Sequence, residues 1–545
     1  MTDATPETSV SETAANGVVL TTHPVLGILG VLLGATIATC TGRLISVGLG
    51  DVRGALHLGM DEASWIGTAF NAALMFIGPF SVYLGGLLGV RRVLLACGAI
   101  FTVLSMTLPF VSTVPAMVPL LILSGLTAGT FYPLTLAFVL RSLPMRYALL
   151  GIAMYAVDIL FTTNVAVSLE AWYVGHLSWR WIYWNSALLT PAMMALIYFG
   201  VPQQPLPQSK PGQSKPNWRG FLYVSLGFSL LYVALDQGQR LDWLQSGTIV
   251  AFSSAGLFLL GVAVVRRSRV PNPLINLRFL VRRNTAMLTL ILIFFRFVML
   301  ASVVAIPSYL TSIQGYRALQ TGPVLLWLAI PQALLGLLAI YLLRYIDARL
   351  VLAIGFMLVG IACVMNARLT SAWVGNNFAA SQLVMALGLA LAFNGMVGAI
   401  LLEVLNTGAL DHPIDVLTFS GFFQTVRLFG GEIGAAFIQH FIPTREQFHS
   451  NILGLGLHLG GTVTDERLLG MSMGLSSHSS DMPEAVGRAA LILGLQVRKQ
   501  AFTLAITDSF LLIAWGALCA LIAVACMAKV STQYKHVVAD ETPSA

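Results

Sequence analysis

The chain has 545 residues, of which 57% are hydrophobic and only 10% charged, with a mean hydropathy of +0.82. A water-soluble globular protein carries roughly 25% charged residues. The composition therefore excludes that class and points to an all-α protein crossing a bilayer many times. The net charge of +7 reads as a topology signal, with the lipid bilayer and not nucleic acid as the expected partner.

Residues 1–22 are rich in Thr, Ser and acids, lack a basic n-region, and are expected to form a disordered tail. A crossing helix needs about 20 predominantly apolar residues. Fourteen stretches qualify, at 25–48, 63–87, 93–112, 115–140, 148–173, 179–200, 220–236, 247–265, 285–310, 322–343, 350–368, 379–404, 416–441 and 504–528. An even number puts both termini on one side. Loops on that side carry seventeen Lys and Arg, while the short loops opposite carry Arg53, Arg180, Arg240, Arg317 and Arg368. The excess marks the cytoplasm. The expected layout is a six-helix bundle at 23–201, a cytoplasmic linker at 202–219, two extra helices and a cytoplasmic loop at 220–283, a second six-helix bundle at 284–530, and a tail at 531–545. The linker "PQQPLPQSKPGQSKPN" is polar and Pro-rich. A long outer segment at 443–503 ends in "EAVGRAALILGLQVRKQA", which reads as an amphipathic helix. The glycine run "GLGLHLGG" has the wrong spacing for a dinucleotide fingerprint, and no P-loop, HExxH pair or GxSxG elbow occurs. Nothing argues for an enzyme, a cofactor or a metal. The five cysteines lie in apolar segments and read as packing residues.

The informative residues are the charges inside the spans: Arg43, Arg296, Arg427, Asp158 and Glu432. Insertion scales put such a charge at about 2.5–3.5 kcal/mol or more at the bilayer centre, so it faces a wet cavity or a partner. Thr36, Thr39, Arg43 and Ser46 follow i, i+3, i+7, i+10 spacing and form one polar helix face. Thr285, Thr289 and Arg296 make a weaker stripe. Gln424 lies one turn from Arg427. Arg427 and Glu432, five residues apart, diverge by about 140° at 3.6 residues per turn. Two roles are open to each arginine. It contacts an anionic substrate through its fork of donors, or it pairs with an acid, Arg43 with Asp158 and Arg296 with Glu432. Tyr155, Trp181 and Trp184 are candidate cavity or interface aromatics. The "GGEIG" run at 430–434 reads as a small-residue packing seam, and His440 reads as a capping or interfacial residue.

Six motifs in order resemble the fourteen-helix drug/proton antiporter branch (EmrB/QacA type) of the major facilitator superfamily. They are "ASWIGTAFNAA" (63–73), "SWRWIYWNSALLTP" (178–191), "LDQGQRLDWL" (235–244), "NPLINLRFLVRRN" (272–284), "FFQTVRLFGGEIGAA" (422–436) and "KQAFTLAITDSF" (499–510). The resemblance implies two bundles related by a pseudo-twofold axis, a midplane site, alternating access, and an extra helix pair outside the transport core. It also implies Gly89, Arg91 and Arg92 as the conformational loop after the second helix. The chain departs from the family where proton coupling is expected. Thr41 takes the place of the first-helix acid, Leu121 that of the fourth-helix arginine, and "AVSLEA" (166–171) that of the fifth-helix Gly/Pro motif.

These readings lead to a secondary transporter of the bacterial inner membrane that exports amphipathic small molecules and leans to organic anions or zwitterions. The substrate-binding candidates are Arg43, Arg296, Arg427, Thr39, Ser46, Thr289 and Gln424. If protons are coupled, Asp158 and Glu432 are the candidate carriers. One alternative is an ordinary proton-coupled multidrug exporter with relocated acids, and another is a non-transporting scaffold or sensor. Through family members that hand substrate onward, the resemblance makes the outer segment a candidate contact for a periplasmic adaptor and outer-membrane channel.

Overall fold

The computed structural model describes residues 24–142, 145–203, 218–269, 282–406, 413–458, 460–476 and 481–528. The expected tails at 1–22 and 531–545, most of the linker and the loop before residue 282 lie outside these. Regular structure among the described residues is helical, as a lipid environment demands when it offers no partner for an open backbone N–H or C=O.

The first bundle contains α1 (Pro24–Val47), α2 (Leu49–Leu56), α3 (Met60–Leu88), α4 (Val90–Thr107), α5 (Val114–Ala128), α6 (Phe131–Ser142), α7 (Met145–His176) and α8 (Trp181–Gly200). Next come α9 (Trp218–Gly238) and α10 (Gly247–Arg269). The second bundle contains α11 (Arg283–Gln314), α12 (Ala318–Tyr345), α13 (Ala348–Asn366), α14 (Ala379–Asn406), α15 (Pro413–Leu455), α16 (Thr462–Leu475) and α17 (Met482–Ala525). Twelve helical stretches among the described residues are long and apolar enough to cross a membrane. Each coincides with an expected span. The other two expected spans fall on α7 and α15, of 32 and 43 residues.

The fourth span is two helices, α5 and α6, separated at Gly129–Thr130. Gly125 and Gly129 sit so close to the backbone and side chains of α3 that a Cβ on either would collide there. Pro133, in the first turn of α6, contributes no N–H. The break places Tyr132 at the start of the second piece.

Within the first bundle α1 packs on α6, α7 and α8, while α5 packs on α3 and α4. Within the second, α11 packs on α14, α15 and α17, while α13 packs on α14 and α17. The bundles meet along two seams. On one, α7 packs on α12 and α14; on the other, α3 and α6 pack on α15. The first seam is tight and polar. Asn164 Nδ2 donates to Gln332 Oε1 at 2.8 Å, Ser168 Oγ donates to the Gly322 carbonyl at 2.8 Å, and a Cβ at Gly336 would collide with Val157.

The extra pair does not lie wholly outside the core. α9 packs on both α3 and α15, so it straddles the second seam, and α10 packs on α9. The expected outer segment at 443–503 is helical over most of its described residues, the stretch "EAVGRAALILGLQVRKQA" included. Its first and last parts continue α15 and α17, and α16 packs on α17 between them. At 1.5 Å per residue α15 and α17 are each about 65 Å long, roughly twice a hydrocarbon core. At the base of this projection Asp508 accepts from Arg445 Nε at 2.7 Å and His449 Nε2 at 2.8 Å, tying α15 to α17.

Candidate functional site

The charged residues inside the helices gather between the bundles in two layers. The middle layer spans α1, α6, α7, α11 and α15. The second lies nearer the end where α1 stops and α3 begins, and involves α1, α9 and α15.

In the middle layer, Thr39 on α1 is hydrogen-bonded to the Tyr132 hydroxyl on α6. The Tyr132 ring carries the guanidinium of Arg427 from the other bundle, with Cζ 4.0 Å from the ring centroid. Tyr155 on α7 meets Tyr132 edge to face at 5.8 Å. Arg427 Nε donates to Gln424 Oε1 at 3.0 Å, and Gln424 Nε2 is buried without a partner among the described residues. Arg296 Nε donates to the Arg427 carbonyl at 3.0 Å, and its Nη1 lies 3.4 Å from the Met299 sulfur. Neither Arg296 nor Arg427 forms an ion pair among the described residues. Asp158 is held by hydroxyls: Oδ1 accepts from Thr36 at 2.6 Å and Thr162 at 3.2 Å, while Oδ2 is buried and unpartnered.

Thr36, Thr39, Arg43 and Ser46 share the part-exposed face of α1, which runs from the middle layer into the second, while Ile37, Ala38, Leu44 and Ile45 between them are buried. The partners of this face on other helices are Asp158 of α7, Tyr132 of α6 and Asn71 of α3. Arg43 Nε has no hydrogen-bond partner among the described residues. Glu432 of α15 and Tyr232 of α9 lie in its surroundings, and no ion pair joins Arg43 to Glu432. Tyr232 and Glu432 are neighbours where α9 packs on α15. One turn further along α9, Asp236 accepts from the Thr68 hydroxyl, which also accepts from Gln237 Nε2. Ser46 Oγ donates to the Gly42 carbonyl at 2.9 Å and receives Asn71 Nδ2 at 3.4 Å.

Both expected ion pairs are replaced by other contacts. Asp158 accepts from Thr36 and Thr162 and makes no ion pair with Arg43. Glu432 makes no ion pair with Arg296 and stands among Asp236, Tyr232 and Arg43. The reason is helical phase. Arg296 lies against α15 at Gly431, where a Cβ would stand 3.0 Å from its Nη2, whereas Glu432, one residue on, projects toward α9. The Gly430, Gly431 and Gly434 seam is the close approach of α15 to α11, with a Cβ at Gly434 only 2.7 Å from Phe297 Cα. Thr289 spends its hydroxyl on the Thr285 carbonyl at 2.8 Å. Gly89 takes φ +85° between α3 and α4, and Arg91 stacks on Tyr198 at 4.7 Å. Arg92 is part-buried. His440 Nδ1 donates to Gln239 Oε1 of α9 at 2.6 Å.

Tyr132, Tyr232 and Asp236 escaped the sequence reading. For the first, Gly129 and Pro133 flanking "TFY" signalled a broken span. For the others, their i, i+4 spacing put a hydroxyl and a carboxyl on one face of a helix taken to be peripheral.

A family profile matches residues 31–435, and its description is Major Facilitator Superfamily. The chain belongs to that superfamily. It is 22% identical to the probable multidrug resistance protein EmrY of Escherichia coli K12 over 424 residues, 75% of this chain and 78% of that protein. It is 21% identical to the fatty acid resistance protein FarB of Neisseria gonorrhoeae, over 55% of this chain and 57% of that one. Among solved structures, a double Trp mutant of XylE superposes with a TM-score of 0.54 at 12% identity, covering 94% and 98% of the two chains. The human organic anion transporter MFSD10 superposes with a TM-score of 0.51 at 12% identity, covering 90% and 99%. As a major facilitator protein the chain is a multi-pass membrane transporter of small molecules, similar to multidrug exporters, and not an enzyme.

Proposed function

We propose that this transporter exports amphipathic organic anions or zwitterions from the cell by alternating access, with Arg43 as the first anion contact. The supporting observation is Arg43, on the polar face of α1, whose buried Nε has no hydrogen-bond partner among the described residues. The two deepest guanidinium groups agree: Arg296 and Arg427 rest on a carbonyl, an amide and a ring, not on carboxylates. A guanidinium left in that state attracts a carboxylate, sulfonate or phosphate. FarB is named for resistance to fatty acids, which are amphipathic anions.

Fourteen crossings, cytoplasmic termini and a bacterial inner-membrane location complete the reading. The interior-negative potential then favours exit of an anion by about 2.3 kcal/mol per charge per 100 mV, so the missing antiport motifs need not stop transport. The α15–α16–α17 projection is the surface we assign to a periplasmic adaptor feeding an outer-membrane channel.

Purified protein in liposomes tests the reading with a dodecyl sulfonate and a dodecyl trimethylammonium of equal chain length. A potential negative on the substrate side, without a pH gradient, should drive sulfonate transport. Arg43→Ala should reduce it at least tenfold, the loss of one charge-assisted contact of about 1.5–3 kcal/mol, and leave the ammonium unchanged. Strict dependence on a pH gradient would favour proton-coupled drug export through Asp158 and Glu432. No transport of either probe, with Arg43→Ala leaving the cellular phenotype intact, would favour a scaffold or sensor.

A further inference from the structure

The turn that closes α9 is attached to the outer ends of both α3 and α15, and the two attachments are unequal. We propose that α9 travels with the first bundle, and that Gln239 is a latch that closes on His440 of α15 while the outer mouth of the second seam is shut. The proposal rests on alternating access and on the orientation assigned above, not on the charge of the cargo.

The attachment to α3 is a buried network. Gln237 is 2% exposed. Its Nε2 donates to the Thr68 hydroxyl and, at 3.3 Å, to the Ser64 carbonyl. The same Thr68 hydroxyl donates to the Asp236 carboxylate. Arg240 Nε donates to Gln237 Oε1 at 2.7 Å, and its Nη1 pairs with Asp61 in the first turn of α3. Two turns back along α9, Ser229 Oγ donates to the Ala72 carbonyl at 2.8 Å. Helix α9 also packs on α3 more extensively than on α15.

At the same outer level the attachment to α15 is light. His440 is exposed, and its Nδ1 donates to Gln239 Oε1 at 2.6 Å. Trp243 Nε1, which can only donate, shares that oxygen at 3.3 Å, and its ring meets His440 edge to face at 5.9 Å. Deeper in the seam, Phe228 meets Phe429 edge to face at 5.3 Å, a contact between apolar rings.

A hydrogen bond open to water yields before a buried network whose members would be left unsatisfied. When α3 and α15 part at the outer end, the break therefore falls between Gln239 and His440, and α9 stays on α3. Gln239 is a positioning residue of the transport cycle. It sets how stable the shut outer mouth is, through His440.

Two cysteine pairs ask which contact has to open. Each is made in a background lacking the five native cysteines and bridged in liposomes by a short bis-methanethiosulfonate that reductant cleaves. Once bridged, Gln239→Cys with His440→Cys should stop transport of whichever probe the protein carries, dodecyl sulfonate or dodecyl trimethylammonium. Reductant should restore it, which separates a lock from a damaged protein. Asp61→Cys with Arg240→Cys should transport as well bridged as unbridged. Full transport by the bridged 239–440 pair overturns the latch, and arrest by the bridged 61–240 pair overturns the movement of α9 with the first bundle. A readout free of cargo is the labelling of Thr39→Cys from outside by a membrane-impermeant maleimide. Adding Gln239→Leu should speed labelling about two- to tenfold, as loss of one hydrogen bond predicts, at an unchanged melting temperature. Gln239→Glu keeps the acceptor and should leave the rate as it was. Equal rates for the Leu and Glu variants overturn the latch even where neither probe is carried, so its failure and the failure of the export reading are told apart.

Discussion

At the residue scale the question is why an apolar protein keeps three guanidinium groups. A buried ion pair is often no more stabilising than a well-packed apolar pair, and here Arg296 and Arg427 lack even that compensation. Arg427 keeps a ring face at 4.0 Å and one amide oxygen. A cation over an aromatic ring contributes about 0.5–2 kcal/mol, less than burial of the charge costs. If Arg427 serves cargo and not the fold, Arg427→Met should leave the melting temperature in detergent unchanged or higher. The same variant should weaken dodecyl sulfonate binding on the order of tenfold, because a charge acting through an effective dielectric of about 20 is worth roughly 1–2 kcal/mol nearby. A structural role predicts the reverse, a lower melting temperature with affinity kept. Tyr132→Phe separates the ring from the hydroxyl, since it retains the cation contact and loses only the bond to Thr39.

At the element scale the helices were legible because each is a long apolar run, and the polar face of α1 because 3.6-residue periodicity is local. What a single helix cannot show is its neighbour. The i, i+3, i+7, i+10 stripe told which side of α1 carries Arg43, but the identity of its counter-charge depends on the phase of α15. A shift of one residue there separates Gly431, which accommodates Arg296, from Glu432, which faces α9. The break between α5 and α6 was missed because mean hydropathy runs unbroken through Gly129. The role of α9 was missed because peripheral position was inherited from the family layout. Close approach is where α11 and α15 are most exposed to substitution. At Gly434 any side chain meets the Phe297 backbone, and overpacking of this kind costs about 1–3 kcal/mol or more. Gly434→Leu should therefore lower the melting temperature in detergent, whereas Gly454→Leu, on the projecting end of α15 with open space around it, should not.

At the scale of the whole molecule, transport by rocking requires that the two seams open and close in turn. Side chains packed like a solid do not stretch; they separate or stay together. In this structure the α7–α12 seam is closed at Val157–Gly336, Asn164–Gln332 and Ser168–Gly322. The three contacts follow one another along both helices, so one rotation could release them in sequence. The pair Ser168 and Gly322 permits a direct test. A Cβ on Gly322 would stand 3.5 Å from that of Ser168, at the short end of the range for a disulfide. In a background lacking the five native cysteines, Ser168→Cys with Gly322→Cys should crosslink on mild oxidation and stop sulfonate transport. Reductant should restore it, and either single substitution should transport throughout. Affinity for the probe should survive oxidation, because Arg43 stands on α1, apart from these three contacts. Full transport by the oxidised double variant would mean that α7 and α12 stay together at this level throughout the cycle, and the movement would then have to be confined to the seam of α3, α9 and α15.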